Sequence, residues 1–394
     1  MTTANSKTSE SWLEEYKAKA EVEVARLEMP TRHERPWKYT DLSELKLEEL
    51  TSLADESVCT TVKTNSEKTT ACSLLEGLAD PRKDSWVTKH LGTLIPPDED
   101  LLLASNSLSW KQGIYISSAD RDNAEVTIDI NLVGETDSLH PRILIEVEKS
   151  ASLSVLIQLN SDNTPLVVLG AIEIFLAANA KLELNIVNKW GIHLKEFTTV
   201  RAELAEGSDL SIATIALGGS VVKHRYDVSL LGERAHSDVK GVAVGDGSQH
   251  FDFMTVQEHS GRQSTSDVGI KTALAGQSRA VYYGITRVLE SAGGSSANQE
   301  NRNMLLASNA KADSDPVLEI LTNDVSRCGH GATVGPVDDD GLFYLMSRGL
   351  DKRSALKMLV AGFMAPIIDT LKDSALSDSI REDIDSKLEN SILD

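Results

Sequence analysis

Thr198-Thr199-Val200-Arg201-Ala202-Glu203-Leu204-Ala205-Glu206-Gly207-Ser208-Asp209-Leu210 holds a strand-like run, a turn and the opening of a second strand. Val200, Ala202 and Leu204 alternate with polar neighbours at the period of a half-buried strand, and Glu206-Gly207 supplies turn chemistry. The closing trio, small–any–apolar, recurs elsewhere. It reads Ala151-Ser152-Leu153, Ala180-Lys181-Leu182, Ser208-Asp209-Leu210, Ser237-Asp238-Val239 and Ser266-Asp267-Val268, in steps of 29, 28, 29 and 29 residues. A second strand-like run falls in each interval: Ile172–Leu176, Thr198–Leu204, Tyr226–Leu231, Phe251–Val256 and Val281–Val288. Two short strands per step, separated by turns such as Gly232-Glu233 and with no helix between them, define a solenoid of stacked β-coils. The spacing predicts that Leu153, Leu182, Leu210, Val239 and Val268 stack in one buried column.

Upstream, the alternations Val126, Ile128, Ile130, Leu132 and Ile143, Ile145, Val147 extend the strand pattern back to about residue 111. A stack of coils leaves open edges at its ends, which need helical caps or partner proteins. Both flanks read as helical. The chain therefore divides into an N-terminal helical region (1–95), a β-coil core (96–341) and a C-terminal helical domain (342–394).

In the first region Ser11-Trp12-Leu13-Glu14 has capping-box spacing, and Leu13, Tyr16, Ala20, Val24 and Leu27 recur at helical spacing up to Pro30. Arg35-Pro36-Trp37-Lys38-Tyr39-Thr40-Asp41-Leu42 reads as a turn and a helix start capped by Asp41, with its aromatic pair packing on the core. A helix is expected around 84–92, before a Pro96-Pro97 break. In the last region Leu342, Leu345 and Met346 share a face ended by Gly349. Asp351 caps a second helix with Leu356, Leu359, Val360 and Phe363 on one side, interrupted near Pro366. Leu376, Ile380, Ile384, Leu388 and Ile392 continue at four-residue spacing.

The composition excludes several classes. With 60 acidic against 39 basic residues the net charge is −21, unsuited to a nucleic-acid partner. No apolar run reaches the roughly 18 residues of a membrane span, and residues 1–10 read as a polar tail rather than a signal peptide. Three cysteines, Cys59, Cys72 and Cys328, fit a reducing cytoplasm better than a disulfide framework. Gly218-Gly219-Ser220 and Gly245-Asp246-Gly247-Ser248 do not continue into a phosphate loop, and the second reads as a coil corner. His224, His236, His250 and His259 read as hydrogen-bonded or exposed side chains rather than a ligand set.

The candidate site lies where the strand pattern ends, at Val325-Ser326-Arg327-Cys328-Gly329-His330-Gly331-Ala332-Thr333-Val334-Gly335, just before the helix opened by Asp338-Asp339-Asp340. Residues two apart on a strand face the same way, so Cys328 and His330 point off one face. Sulfur with imidazole suits iron–sulfur, zinc or copper chemistry, but two ligands do not complete a site. On spacing alone, a packed thiol beside a satisfied imidazole is the simpler reading.

The block Cys-Gly-His-Gly-Ala-Thr-Val-Gly, followed by Asp-Asp-Asp-Gly-Leu-Phe-Tyr-Leu-Met-Ser-Arg-Gly, resembles the C-terminal signature of the SufD family. These are scaffold subunits of the SUF iron–sulfur cluster assembly system. Residues 35–42 resemble that family's N-terminal Pro-Trp-basic-Tyr-Thr segment. The related SufB subunits carry Ser-His-Glu-Ala where this chain has Cys328 to Ala332. They place a cysteine in a Gln-Cys-Asp-Ser segment matching Glu300-Asn301-Arg302-Asn303, so Asn301 stands where that thiol would be.

The resemblance implies a right-handed parallel β-helix core, a SufB-like partner alongside it, and a SufC-like ATPase on the C-terminal helices at Leu356, Leu359, Val360 and Phe363. It implies a transient iron–sulfur cluster shared with the partner, to which His330 and Cys328 contribute, and a homodimer when SufB is absent. No cofactor is expected on this chain alone, and no catalysis. Two rivals remain at this stage. One is a structural adaptor in which Cys328 and His330 only pack. The other is a carbohydrate-active β-helix enzyme, which would need clustered acids on one solenoid face.

Overall fold

The computed structural model describes residues 9–47, 58–111, 113–132, 137–371 and 373–391. The core is a parallel β-solenoid whose strands form a nine-stranded and a ten-stranded sheet facing one another. Successive strands alternate between the sheets: for instance Lys181–Lys189, Asp209–Ala216 and His236–Gly245 neighbour one another in one sheet. Lys195–Leu204, Val221–Leu230 and His250–His259 do so in the other. The apolar period of 2 places every second side chain inside, and the interior forms one continuous cluster from Ile114 to Tyr282.

One corner explains the repeat. Arg121, Ser150, Asn179, Gly207, Arg234, Gln263 and Gly294 all adopt a positive φ, at intervals of 27 to 31 residues. Each donates its amide to the next coil, as in Asn179 N to Glu206 O at 2.8 Å and Gly207 N to Glu233 O at 2.9 Å. The residue after it is small and buried in six successive coils: Ala151, Ala180, Ser208, Ala235, Ser264 and Ser295. The left-handed bend turns the chain inward, and only a small side chain fits at the corner.

The predicted column is correct in burial and wrong in register. All five residues are buried, and Leu153, Leu182 and Leu210 stack. Leu210 then faces Ser237, however, while Val239 faces Ile212 and Val268. The coil between them is two residues shorter, and the true corner residue is Ala235. The Ser-Asp-Val trios lie one inward position farther along.

The N-terminal edges of both sheets are covered. Val58–Thr64 and Thr70–Cys72 add antiparallel to Asn123–Leu132 and Ile114–Ser118, so two strands from before residue 96 join the sheets. Helices α1 (Ser9–Arg26), α2 (Leu74–Ala79), α3 (Asp84–His90) and α4 (Leu101–Ser109) pack around this end. Helix α1 begins at Ser9, ahead of the expected Ser11 cap. A fully buried ion pair fixes the contact: Arg142 Nη2 meets Glu173 Oε2 at 2.6 Å, and Glu173 also accepts the Gly92, Leu94 and Ile95 amides. Removing one partner of such a pair strands a charge, which is why pairs like this hold elements in register.

Arg35–Trp37 forms a short 3-10 turn, and Asp41 accepts the Ser43 amide at 3.0 Å in a further turn rather than capping a helix that starts there. The segment lies as a strap across the outer face of the ten-stranded sheet. Trp37 packs on Phe197, Thr40 Oγ1 donates to Asp252, and Tyr39 OH donates to Asp315 at 2.8 Å on the last strand of that sheet.

At the other end α5 (Asp339–Ser347), α6 (Lys352–Ile368) and α7 (Ser374–Ser391) follow the last strand. Asp338 and Asp351 cap α5 and α6, and Gly349, at φ +98°, ends the α5 turn. Helix α6 runs through Pro366 without a break, because the proline sits in its last turn and removes only one hydrogen bond. Val360, Met364, Ile367, Ile380, Ile384 and Leu388 pack on Val187, Ala213, Ile215 and Val242 of the nine-stranded sheet. The expected apolar position at Ile392 and the N-terminal tail before Ser9 lie outside the described residues.

Candidate functional site

The solenoid interior changes character along its axis. In the early coils the inward positions are aliphatic: Val126, Ile128 and Ile130, then Val155, Ile157 and Leu159, then Leu182, Leu184 and Ile186. In the late coils polar residues, equally buried, join apolar ones such as Phe253, Val268 and Ile270 at these positions: Gln257, His259, Ser266, Thr286, Gln299, Asn301 and Asn303. Most are hydrogen-bonded to one another. Tyr282 OH donates to Gln299 Oε1 at 2.9 Å, and Gln299 Nε2 donates to the Val317 carbonyl. Asn303 Nδ2 donates to Asn301 Oδ1 at 2.6 Å, and Thr272 Oγ1 to Asn303 Oδ1 at 2.7 Å. His259 sits between the Ser264 and Ser266 hydroxyls, both at 2.8 Å. Burial pushes its pKa down to about 4, so the ring is neutral.

The last coil consists of Lys311–Ile320 and Val325–Pro336, the free edges of the two sheets. No residue of either strand is buried, although the strands before them are closed. Cys328 stands in register with Ala297 and His330 with Gln299, both inward positions. Thiol and imidazole therefore share one face, as their spacing predicts, and that face is the mouth of the solenoid. His330 is exposed and Cys328 half-buried. Half-burial pushes the Cys328 thiol's pKa up, opposed by a backbone hydrogen bond at Ala297, so a metal binding there must displace a proton. Among the described residues no third His, Cys, Asp or Glu joins the pair to complete a metal site. Asn301 lies one coil in, beneath Ala332 and committed to Asn303.

The four histidines are scattered and all hydrogen-bonded: His224 with Tyr226, His236 with Thr265, His250 with Thr40 and His259 with its two serines. The C-terminal face assigned to an ATPase is placed differently from expectation. Leu356 and Val360 are buried, Phe363 packs half-buried against the same internal cluster, and Leu359 lies beside Gly341 at the start of α5. Val360 and Phe363 thus hold α6 on its own solenoid. The exposed apolar surface of this unit is instead Phe343, 74% exposed, with Tyr344, Met346 and Met358. The polar interior escaped sequence reading. Its signal is Ala297-Asn298-Gln299-Glu300-Asn301-Arg302-Asn303, a strand with no large apolar residue at any inward position.

The chain is thus a capped parallel β-solenoid with a thiol and an imidazole side by side at its open end. Residues 130–363, more than half of the chain, match the family model described as the SUF system FeS cluster assembly, SufBD core domain. The chain belongs to the SufBD family. It is 30% identical over 258 residues to the iron–sulfur cluster assembly protein SufD of Escherichia coli K12, covering 64% of this chain and 60% of that protein. It is 27% identical over 363 residues to an iron–sulfur cluster assembly SufBD family protein of Mycobacterium leprae, covering 89% and 88%. A Mycobacterium tuberculosis member of that family is 25% identical over 381 residues, covering 94% and 92%.

Proposed function

We propose that this chain is a SufD-type, non-catalytic scaffold subunit of a SUF complex in the cytoplasm. It pairs through its open end with a SufB-like subunit, and His330 and Cys328 offer two ligands to a nascent iron–sulfur cluster completed by that partner. The observation that carries this reading is the uncovered last coil. Two unpaired strand edges and a half-open interior are a surface a folded protein covers, by β-addition or by a partner. Iron and sulfide as cargo need soft ligands held incompletely, so that the cluster leaves again. No helix among the described residues is long and apolar enough to cross a membrane.

The test is anaerobic reconstitution of cluster on the complex with SufB-like and SufC-like partners. Because His330 is exposed, His330→Ala should leave the melting temperature and assembly intact while cutting iron and sulfide per complex. Cys328→Ala should have a smaller effect. Unchanged cluster content with both variants would favour the structural adaptor. A SufC-like ATPase, in this reading, docks on the exposed Phe343, Tyr344 and Met358 of α5 and α6. Phe343→Asp with Met358→Asp should abolish ATPase co-purification from a folded chain.

A further inference from the structure

A groove of about 510 Å³ crosses four successive strand ends of the ten-stranded sheet beneath α3, far from the open end. Trp86 and His90 form its wall, stacked at 4.1 Å, and Phe175 meets them edge-on at 5.6 and 4.9 Å. Leu231, 48% exposed, closes its far side. Its charged lining is Glu146, Glu148, Glu203 and Glu206 against Lys149 alone. Glu206 is engaged by Arg234 at 2.8 Å. Glu146 and Glu203 have no cationic partner among the described residues. Tyr115 OH and Ser117 Oγ both donate to Glu146 Oε2, at 2.8 and 2.9 Å, which leaves Oε1 toward other donors.

Sheet register shows what such a pair of carboxylates accepts. The outward column through the groove reads Glu146, Phe175, Glu203, Ser229, Glu258, Arg287, Glu319. At its far end Arg287 lies between two glutamates, Nη1 on Glu258 at 2.9 Å and Nε on Glu319 at 2.6 Å. At its near end the same acid–X–acid spacing recurs with Phe175 in the middle. In both places the carboxylates stand two strands apart, roughly 9.6 Å along the sheet.

We propose that the groove receives an arginine side chain presented by a partner protein, with its guanidinium over Phe175 between Glu146 and Glu203. Arginine fits where lysine does not. Its planar fork reaches two carboxylates at once and stacks on an aromatic face, while an ammonium is a point charge. An apolar residue next to that arginine would rest on Leu231 and Trp86. The negative charge of the whole chain steers such a partner in.

The probes are acetyl-Arg-Leu-amide and its lysine and citrulline analogues, titrated to millimolar concentration into the full chain and followed by NMR at the Trp86 indole and Phe175 ring. The arginine peptide should shift both resonances, lysine should bind more weakly, and citrulline, of the same shape without the charge, should not bind. Glu203→Gln should weaken the arginine peptide about tenfold, the scale of one charged hydrogen bond. Glu319→Gln, at the already filled end of the column, should leave it unchanged. Equal binding of the citrulline or lysine peptide, an unaffected Glu203→Gln protein, or no shift at Trp86 would each overturn the proposal.

Discussion

The two halves of the solenoid interior are built on one backbone plan and filled with opposite chemistry. Around Leu184 the coils enclose branched aliphatics, each worth roughly 1.5–3 kcal/mol of burial. Around Gln299 the same inward positions carry amides, hydroxyls and a neutral imidazole, whose net hydrogen-bond gain is about 1 kcal/mol each. The aliphatic half lies at the end closed by helices and antiparallel strands, and the polar half leads to the open mouth. An aliphatic core at an open edge would expose an adhesive surface whenever a partner left. A polar core tolerates water there and still fixes a unique packing. Apolar burial is concentrated at the covered end, and hydrogen-bonded polar packing at the other.

That contrast can be broken by substitution. The largest expected effect is in the aliphatic half: Leu182→Ala should cost roughly 2–5 kcal/mol in denaturant unfolding, as truncation in packed cores does. A loss below about 1 kcal/mol would mean that this half is loosely packed.

Next comes acid sensitivity in the polar half. His259 is held neutral with a pKa of about 4 against 6.5 when free. The unfolded chain takes up the proton first as pH falls, so this contribution is intact above pH 6.5 and lost progressively down to about 4. It amounts to about 2–3 kcal/mol between pH 7 and 4.5. His259→Asn should be less stable at pH 7 but lose that much less over the same interval. His140 and His250, also lowered by burial to about 4, keep their share in both proteins.

The smallest effect is the most discriminating. Gln257 is 0% exposed, and neither its amide nitrogen nor its oxygen has a partner among the described residues. Gln257→Leu should therefore change stability by less than about 1 kcal/mol, or raise it. A loss of several kcal/mol would show that its amide is satisfied by bound water and that the polar half is a specific network.

Much of this plan was legible in the chain. Period-2 alternation with recurring turn residues identified the coils, because a parallel stack repeats its turn chemistry at every corner. Register was harder to read. The small corner residue is Ala235 in one coil and Ser208 or Ser264 in its neighbours, so a serine two positions later mimicked it. Cys328 and His330 share a face because strand geometry alone requires it. The α6 face is ambiguous in sequence for a physical reason: Leu356, Val360 and Phe363 form the same stripe whether it meets another protein or the chain's own sheet. Only burial separates those cases, and it placed the exposed patch at Phe343 and Met358. The polar interior was hidden because inward glutamine and asparagine look, in sequence, like ordinary solvent-facing residues.

The strap carries a consequence for how the molecule is made. Lys38 and Tyr39 meet Asp315 across 277 and 276 residues, one of the longest separations in the fold. Synthesis runs from the amino end, so the segment around Trp37 emerges long before its last docking residue exists. It must wait, unattached at that point, until nearly every coil has been translated and stacked. Closure of the Tyr39–Asp315 hydrogen bond then reports that the edge strand Lys311–Ile320 is in place, which makes an early-emerging segment the latch on one of the last strands to form.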